Sequence, residues 1–249
     1  MKPAGAFVIW KVKNYRRLWV VGFLNSSCRW LEILSFSVIT WQWFADARYA
    51  AGLFATRMLA LSLTGIFFSI FHNRIAGQRI MFGAQMLAVF SCLICILFLT
   101  NFEEYGLYCL SLISAISGGL WSVDWAYRRR MLADTLDEQH IFSGLSFDVM
   151  SNHATRFVGM ILGGVILHTF NNIVLFTILT VAYFLSSLLV LKSKDISFQI
   201  TSRNTFLHSM RSVFKQASES FPILTVLLLT PIFNIFVLPF VALIPLLYI

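Results

Sequence analysis

Charge is scarce in this chain. Asp, Glu, Lys and Arg together make up 12% of its 249 residues, against 58% hydrophobic residues, and the mean hydropathy is +0.78. That balance excludes a soluble globular domain. Cysteine is sparse too, with four in all. Cys92 and Cys95 form a CxxC inside an apolar run, where no second pair completes a zinc site and no soluble context suits a redox motif. They read as small apolar helix residues. No nucleophile stands with a base, and there is no glycine-rich phosphate loop and no HExxH. His140, Asp148 and His153 are poorly spaced for a metal. The sequence therefore points away from an enzyme, a metal or a cofactor. Short segments of alternating polarity are missing as well, which argues against a barrel.

What is present is a series of long apolar runs, at about 18–44, 49–71, 80–100, 107–126, 154–170, 172–191 and 222–249. A bilayer core of ~30 Å needs roughly 20 apolar residues per helix, and most of these runs reach that length. Each must be a helix, because a segment in lipid has to satisfy its own backbone hydrogen bonds. The expected fold is all-α, a polytopic bundle of transmembrane helices. The first run is no signal peptide: it is too long, and Arg29 and Glu32 interrupt it. Phe44-Ala45-Asp46-Ala47 reads as the first outer turn rather than a cleavage site.

The basic residues sort by side. Lys2, Lys11, Lys13, Arg16 and Arg17 precede the first run, Arg74 and Arg79 follow the second, and Arg128, Arg129 and Arg130 follow the fourth. Lys192, Lys194, Arg203, Arg211 and Lys215 follow the sixth. The intervening loops hold only Arg48, with the acidic pair Glu103 and Glu104. By the positive-inside rule the N-terminus is cytoplasmic, in an inner (plasma) membrane, and the 249 end emerges outside. The net charge of +8 therefore reflects topology and attraction to anionic lipid, not nucleic-acid binding.

Two long polar loops are expected on the cytoplasmic side, at about 127–152 and 192–221. In the second, Phe206, Met210, Val213 and Phe214 recur at helical spacing, which predicts an amphipathic helix at the membrane surface. The chain thus divides into a six-helix bundle (1–191), a cytoplasmic linker (192–221) and a seventh helix (222–249). The seventh run is still apolar at its end and is interrupted by Pro231, Pro239 and Pro245. This suggests a part of a longer protein or a shortened product.

Ionisable groups inside spans cost roughly 2.5–3.5 kcal/mol each at a helix centre, so each needs a reason. Arg29 and Glu32 lie three apart on one helical face and can pair with each other. Glu32 is then either a proton or substrate carboxylate tuned by Arg29, or half of a self-neutralised structural pair. Arg57 either contacts an anion in a cavity or snorkels to the outer interface. Asp124, beside Trp121 and Trp125, is expected to pair with the basic cluster at 128–130 or with Arg74, as an inner-gate salt bridge. The tryptophans read as interface anchors. His153 reads as an interfacial residue. Gly159 and Gly163 form a small-xxx-small pair that permits close helix approach.

Four stretches together resemble the major facilitator superfamily, in the branch of enterobactin-exporter-like and macrolide-efflux-like permeases. Asn14-Tyr15-Arg16-Arg17-Leu18-Trp19 is similar to that branch's opening. Arg129 to Leu132, with Asp134 and Gly144-Leu145, is similar to its passage from span four to span five. Arg156-Phe157-Val158-Gly159 with Gly163-Gly164 resembles its span-five motif. Leu207 to Phe240 resembles its linker helix and seventh span. Two departures stand out. In the loop between spans two and three, Arg74 and Arg79 match, but Asn73 and Ser69 replace the usual aspartate and glycine. Met160 stands where the span-five motif has proline. The resemblance implies proton-coupled export of a small organic molecule, of the siderophore or drug class, by alternating access. Arg29, Glu32, Arg57 and Arg156 would lie on the substrate or proton pathway. Asn73, Arg74, Arg79, Asp124, Gly159, Gly163 and Gly164 would serve as gate and motif residues. The alternatives are a truncated, non-transporting membrane protein, and an importer of the same fold.

Overall fold

The computed structural model describes residues 8–71, 76–101 and 106–193, with Ser220, Phe221, Leu224, Thr225 and Leu229 beyond them. The linker helix at 205–214 and the prolines of the seventh span lie outside the described residues. So do Asn73 and Arg74. Among the described residues the chain is helical and no strand occurs. The helices are α1 (Lys13–Phe44), α2 (Ala47–Phe71), α3 (Gly77–Asn101), α4 (Gly106–Val123), α5 (Arg129–Asp134), α6 (Glu138–Thr169) and α7 (Asn172–Leu191). A π-helical turn, Asp124–Arg128, joins α4 to α5, so these two helices run on as a single rod.

Three helical stretches are long and apolar enough to cross a bilayer on their own composition: Gly77–Leu99, Gly106–Asp134 and Asn172–Leu191. In α1 the polar residues turn inward. Asn25, Arg29 and Glu32 recur at i, i+4 and i+7, which places them on one helix face, and all three are buried. Large apolar side chains face outward instead, among them Leu59 and Leu63 on α2, Phe90 on α3, Phe157 and Ile161 on α6, and Leu185 on α7. A bundle that is polar within and apolar without suits lipid rather than water.

The turns have local causes. Ala45 ends α1 in the left-handed region, at φ 49°, and its N–H donates to the Trp41 carbonyl at 2.8 Å. Asp46 then accepts from the Arg48 backbone N–H at 2.9 Å and from its guanidinium at 2.8 Å. Those bonds hold the Asp46 carboxyl below its ordinary range. At the start of α7 the Asn171 side chain caps the helix by accepting from the Val174 N–H at 3.0 Å.

One expectation is overturned. The polar stretch at 127–152 is not a loop, because helix continues through the π turn and α5 to Asp134, and α6 begins at Glu138. The reason is that two of its charges are not solvated. Arg128 is fully buried and Asp148 is 1% exposed, and they neutralise each other inside the bundle.

α1 packs against α2, α6 and α7, α3 packs against α7 and α4, and α4 packs against α2. Five helices therefore close a ring, α1–α7–α3–α4–α2, and α6 lies against α1. Two of these contacts depend on glycine. A Cβ on Gly159 would come within 2.8 Å of Trp30 Cβ, and one on Gly163 within 2.6 Å of Leu34 Cδ2. α6 thus lies close on α1, as small-xxx-small packing requires. A Cβ on Gly118 would run into the backbone carbonyl of Arg57, so α4 and α2 also touch nearly backbone to backbone. Cys28, Cys92 and Cys95 are buried free thiols within the apolar core.

Candidate functional site: a buried charge network

The ring of helices encloses charge. Arg29, Arg57 and Arg128 face Glu32, Asp124 and Asp148, and none of the six is more than 6% exposed. Equal numbers of each sign let them survive burial, since a lone ion in the interior would cost several kcal/mol.

Glu32 sits where four helices meet. Arg57 Nη2 on α2 donates to Glu32 Oε2 at 3.1 Å. Ser117 on α4 donates to the same oxygen. Tyr183 on α7 donates its hydroxyl to Oε1 at 3.1 Å. The Arg57 guanidinium also lies 5.4 Å from the Phe36 ring centroid, within the range of a cation–π contact. The predicted Arg29–Glu32 pair is therefore not formed. Arg29 turns to the π turn that follows α4 instead, where its Nη1 donates to Asp124 Oδ2 at 3.1 Å. Each charge of α1 finds an opposite charge on a neighbouring helix, which ties the bundle together where a pair within one helix would not.

Asp124 is the hub toward the basic end. Besides Arg29 it accepts from Asn25 Nδ2 at 2.9 Å, and Arg128 Nε lies 3.3 Å from its Oδ1. A further chain of hydrogen bonds leads from Asn25 across α7 to α3. Ser186 Oγ donates to Asn25 Oδ1 at 2.8 Å, and Gln85 Nε2 donates to Ser186 Oγ at 2.9 Å. Arg128 continues the charge network to α6, with Nη1 2.5 Å from Asp148 Oδ1. Arg129 adds a looser contact, 3.6 Å from Asp148 Oδ2. The π turn sets this geometry, since it carries Asp124 and Arg128 themselves. Such turns are frequent at functional sites.

A cavity of about 30 Å³ lies between the two halves of the network. Arg29, Gln85, Ser117, Trp121, Asp124 and Tyr183 are among its lining residues. A second, apolar groove of about 460 Å³ runs between α2, α3 and α4 and shares Ala84, Leu120 and Val123 with the first.

The other sequence candidates fall in different places. Arg57 is 1% exposed, so it does not snorkel to the interface. Asp124 pairs with Arg128 of the expected cluster, but also with Arg29. Trp121 is no interface anchor: it is 8% exposed and packs edge-on against Trp30 and Trp125. Arg156 is half-buried, with its guanidinium 4.3 Å from the Trp30 ring centroid and outside the ion-pair network. Arg79 is exposed at the start of α3, His153 is exposed on α6, and Gly164 faces open space. Asn25, Ser117, Asp148 and Tyr183 belong to the network but were not among the sequence candidates, and Arg128 entered only as part of the cluster expected to pair with Asp124. The i, i+4, i+7 spacing of Asn25, Arg29 and Glu32 offered one signal, and the i, i+4 spacing of Asp124 and Arg128 another.

No curated protein matches the chain. The family described as transmembrane secretion effector matches it over residues 4–248. An all-helical, membrane-embedded bundle with a charged interior is the architecture such a transporter needs, and the chain belongs to this transmembrane secretion effector family of the major facilitator superfamily.

Proposed function

We propose that this chain carries out proton-coupled export of a small organic molecule, of the siderophore or drug class, from the plasma membrane with its N-terminus in the cytoplasm. The observation that carries the reading is Glu32, a buried carboxylate held by Arg57, Ser117 and Tyr183 from three other helices. A proton arriving at Glu32 cancels one charge of its pair with Arg57. It weakens a contact that fixes α1 against α2 and leaves Arg57 to seek another partner. Proton binding thereby becomes a change in helix packing, which is what alternating access requires. Each pH unit supplies ~1.4 kcal/mol per proton, and 100 mV adds ~2.3 kcal/mol per charge moved. Asp124, with Arg29 and Arg128, acts as the inner-gate salt bridge, and Asn73, Arg74 and Arg79 are assigned to gating by their place in the sequence motif alone. Gly159 and Gly163 let α6 move closely along α1.

The test is transport in everted membrane vesicles, with the interior made acid and a panel of labelled siderophores and drugs outside. Uptake that rises with the pH gradient and loses that rise in Glu32→Gln is the expected result. Uptake by Glu32→Gln that still follows the gradient removes Glu32 as the proton carrier. Uptake found only in right-side-out vesicles makes the protein an importer.

A further inference from the structure

The small cavity is lined by polar groups that have no partner among the described residues. Arg29 uses Nη1 for Asp124, yet its Nε and Nη2 are buried without a partner among the described residues. Those two nitrogens form one edge of the guanidinium fork, the edge that receives a carboxylate through two parallel N–H···O bonds. Trp121 brings a third such donor, its indole Nε1–H, and Gln85 an unsatisfied acceptor, Oε1. All three residues line the same cavity and are at least nine-tenths buried. Buried polar groups are left unpaired rarely, and each such case calls for an explanation.

Charge and size narrow what fits. The cavity's own carboxylate, Asp124, is already engaged by Arg29, Asn25 and Arg128. It does not compete for the free edge of Arg29. A volume of about 30 Å³ admits a carboxylate head or one to two waters, and no larger group. The neighbouring groove is different. It is far larger and lined by Ile80, Leu87, Ile116 and Leu120, with Gly83 leaving its wall open. Ala84, Leu120 and Val123 belong to both. The two spaces are therefore neighbours, with these three residues at their common boundary. An apolar pocket with a few convergent polar groups is the usual form of a small-molecule site.

We propose that this chain binds an apolar carboxylic acid, its carboxylate on the free edge of Arg29 and the Trp121 N–H, and its body in the α2–α3–α4 groove. This names a substrate class and rests on the transporter reading only in taking the bound acid to be what is moved.

The test is binding of 1-naphthoate to the purified full chain in nanodiscs, followed by calorimetry and thermal shift with no gradient applied. The neutral isostere 1-naphthamide and formate are run as controls. The expected result is saturable naphthoate binding at least about tenfold tighter than naphthamide, the usual scale for a charge-assisted pair of bonds. Trp121→Phe keeps the ring, removes the donor and weakens naphthoate about tenfold. Gly83→Leu fills the groove and weakens naphthoate while leaving formate unchanged. Arg29→Lys keeps the charge, loses the fork and weakens both acids. If that variant does not fold, Trp121→Phe and Gly83→Leu still decide the matter. Equal affinity for naphthamide overturns anionic recognition. Unchanged naphthoate binding in Trp121→Phe overturns the site, and naphthoate binding no tighter than formate overturns the groove. Naphthoate binding without gradient-driven uptake sinks the transporter reading alone. Uptake of neutral compounds without naphthoate binding sinks this one alone.

Discussion

The guanidinium of Arg128 occupies the space that a side chain on Gly22 would fill. The contact joins the π turn to α1, and Asp124 and Asp148 hold the guanidinium from two sides. Arg128 therefore has nowhere to go. In an unhindered helix, Gly→Ala gains about 1 kcal/mol of helix propensity. Here overpacking should cost about 1–3 kcal/mol and displace a buried ion pair as well. Gly22→Ala is expected to lower the thermal midpoint of the purified protein. Gly22→Ala combined with Arg128→Ala should not show a further drop beyond that of Arg128→Ala alone. A midpoint raised by Gly22→Ala would show that Arg128 moves aside.

A pair of glycines gives a sharper contrast. Gly118 faces the backbone carbonyl of Arg57, which cannot rotate away, whereas Gly164 has nothing within 4 Å of a built Cβ. Gly118→Ala should force α2 and α4 apart and reduce folded yield in membranes. Gly164→Ala should leave stability unchanged or improve it by about 0.4–1 kcal/mol, through the unfolded chain. Melting curves of the two variants side by side check both statements. Loss of stability in Gly164→Ala would mean that this face is covered in the working protein.

The pair Arg57–Glu32 makes a third case. Removing one partner leaves an uncompensated charge in the bundle and should cost about 3–5 kcal/mol. Arg57→Met is therefore expected to melt well below the parent. Replacing both by apolar residues, as in Arg57→Met with Glu32→Met, should recover much of that loss, because the desolvation cost disappears along with the attraction. A double variant as unstable as the single one would indicate that the bonds from Ser117 and Tyr183, rather than the charge balance, hold this part of the bundle.

The helical rods were legible from run length alone, since α7 begins and ends where the apolar run does and α2 nearly so. Partner choice was not. The spacing of Arg29 and Glu32 shows that they share a face, but says nothing of which helices meet that face. Once α2 and α4 pack there, opposite charges on Arg57 and Asp124 outcompete the neighbour three residues away. The stretch from Tyr127 to Asn152 looked like a solvated loop because it is rich in charge. Its central charges are buried instead, because Arg128 has aspartates on two helices. Gly118 is a close contact that only the crossing of α4 over α2 reveals.

Orientation rests on the distribution of basic residues, and it can be checked at one turn. Arg48 follows the break between α1 and α2, and its side chain is 90% exposed. With a cytoplasmic N-terminus this turn lies outside the cell. The native thiols of Cys28, Cys92 and Cys95 are 1–2% exposed and should not react with a membrane-impermeant maleimide. Cys109 is half-buried and is replaced by Ser to remove background. In that background Arg48→Cys should be labelled when the reagent is added to intact cells and protected in everted vesicles. The reverse pattern would place the N-terminus outside. The bias of Lys and Arg toward alternate loops would then need another cause, and the proposed direction of transport would reverse with it.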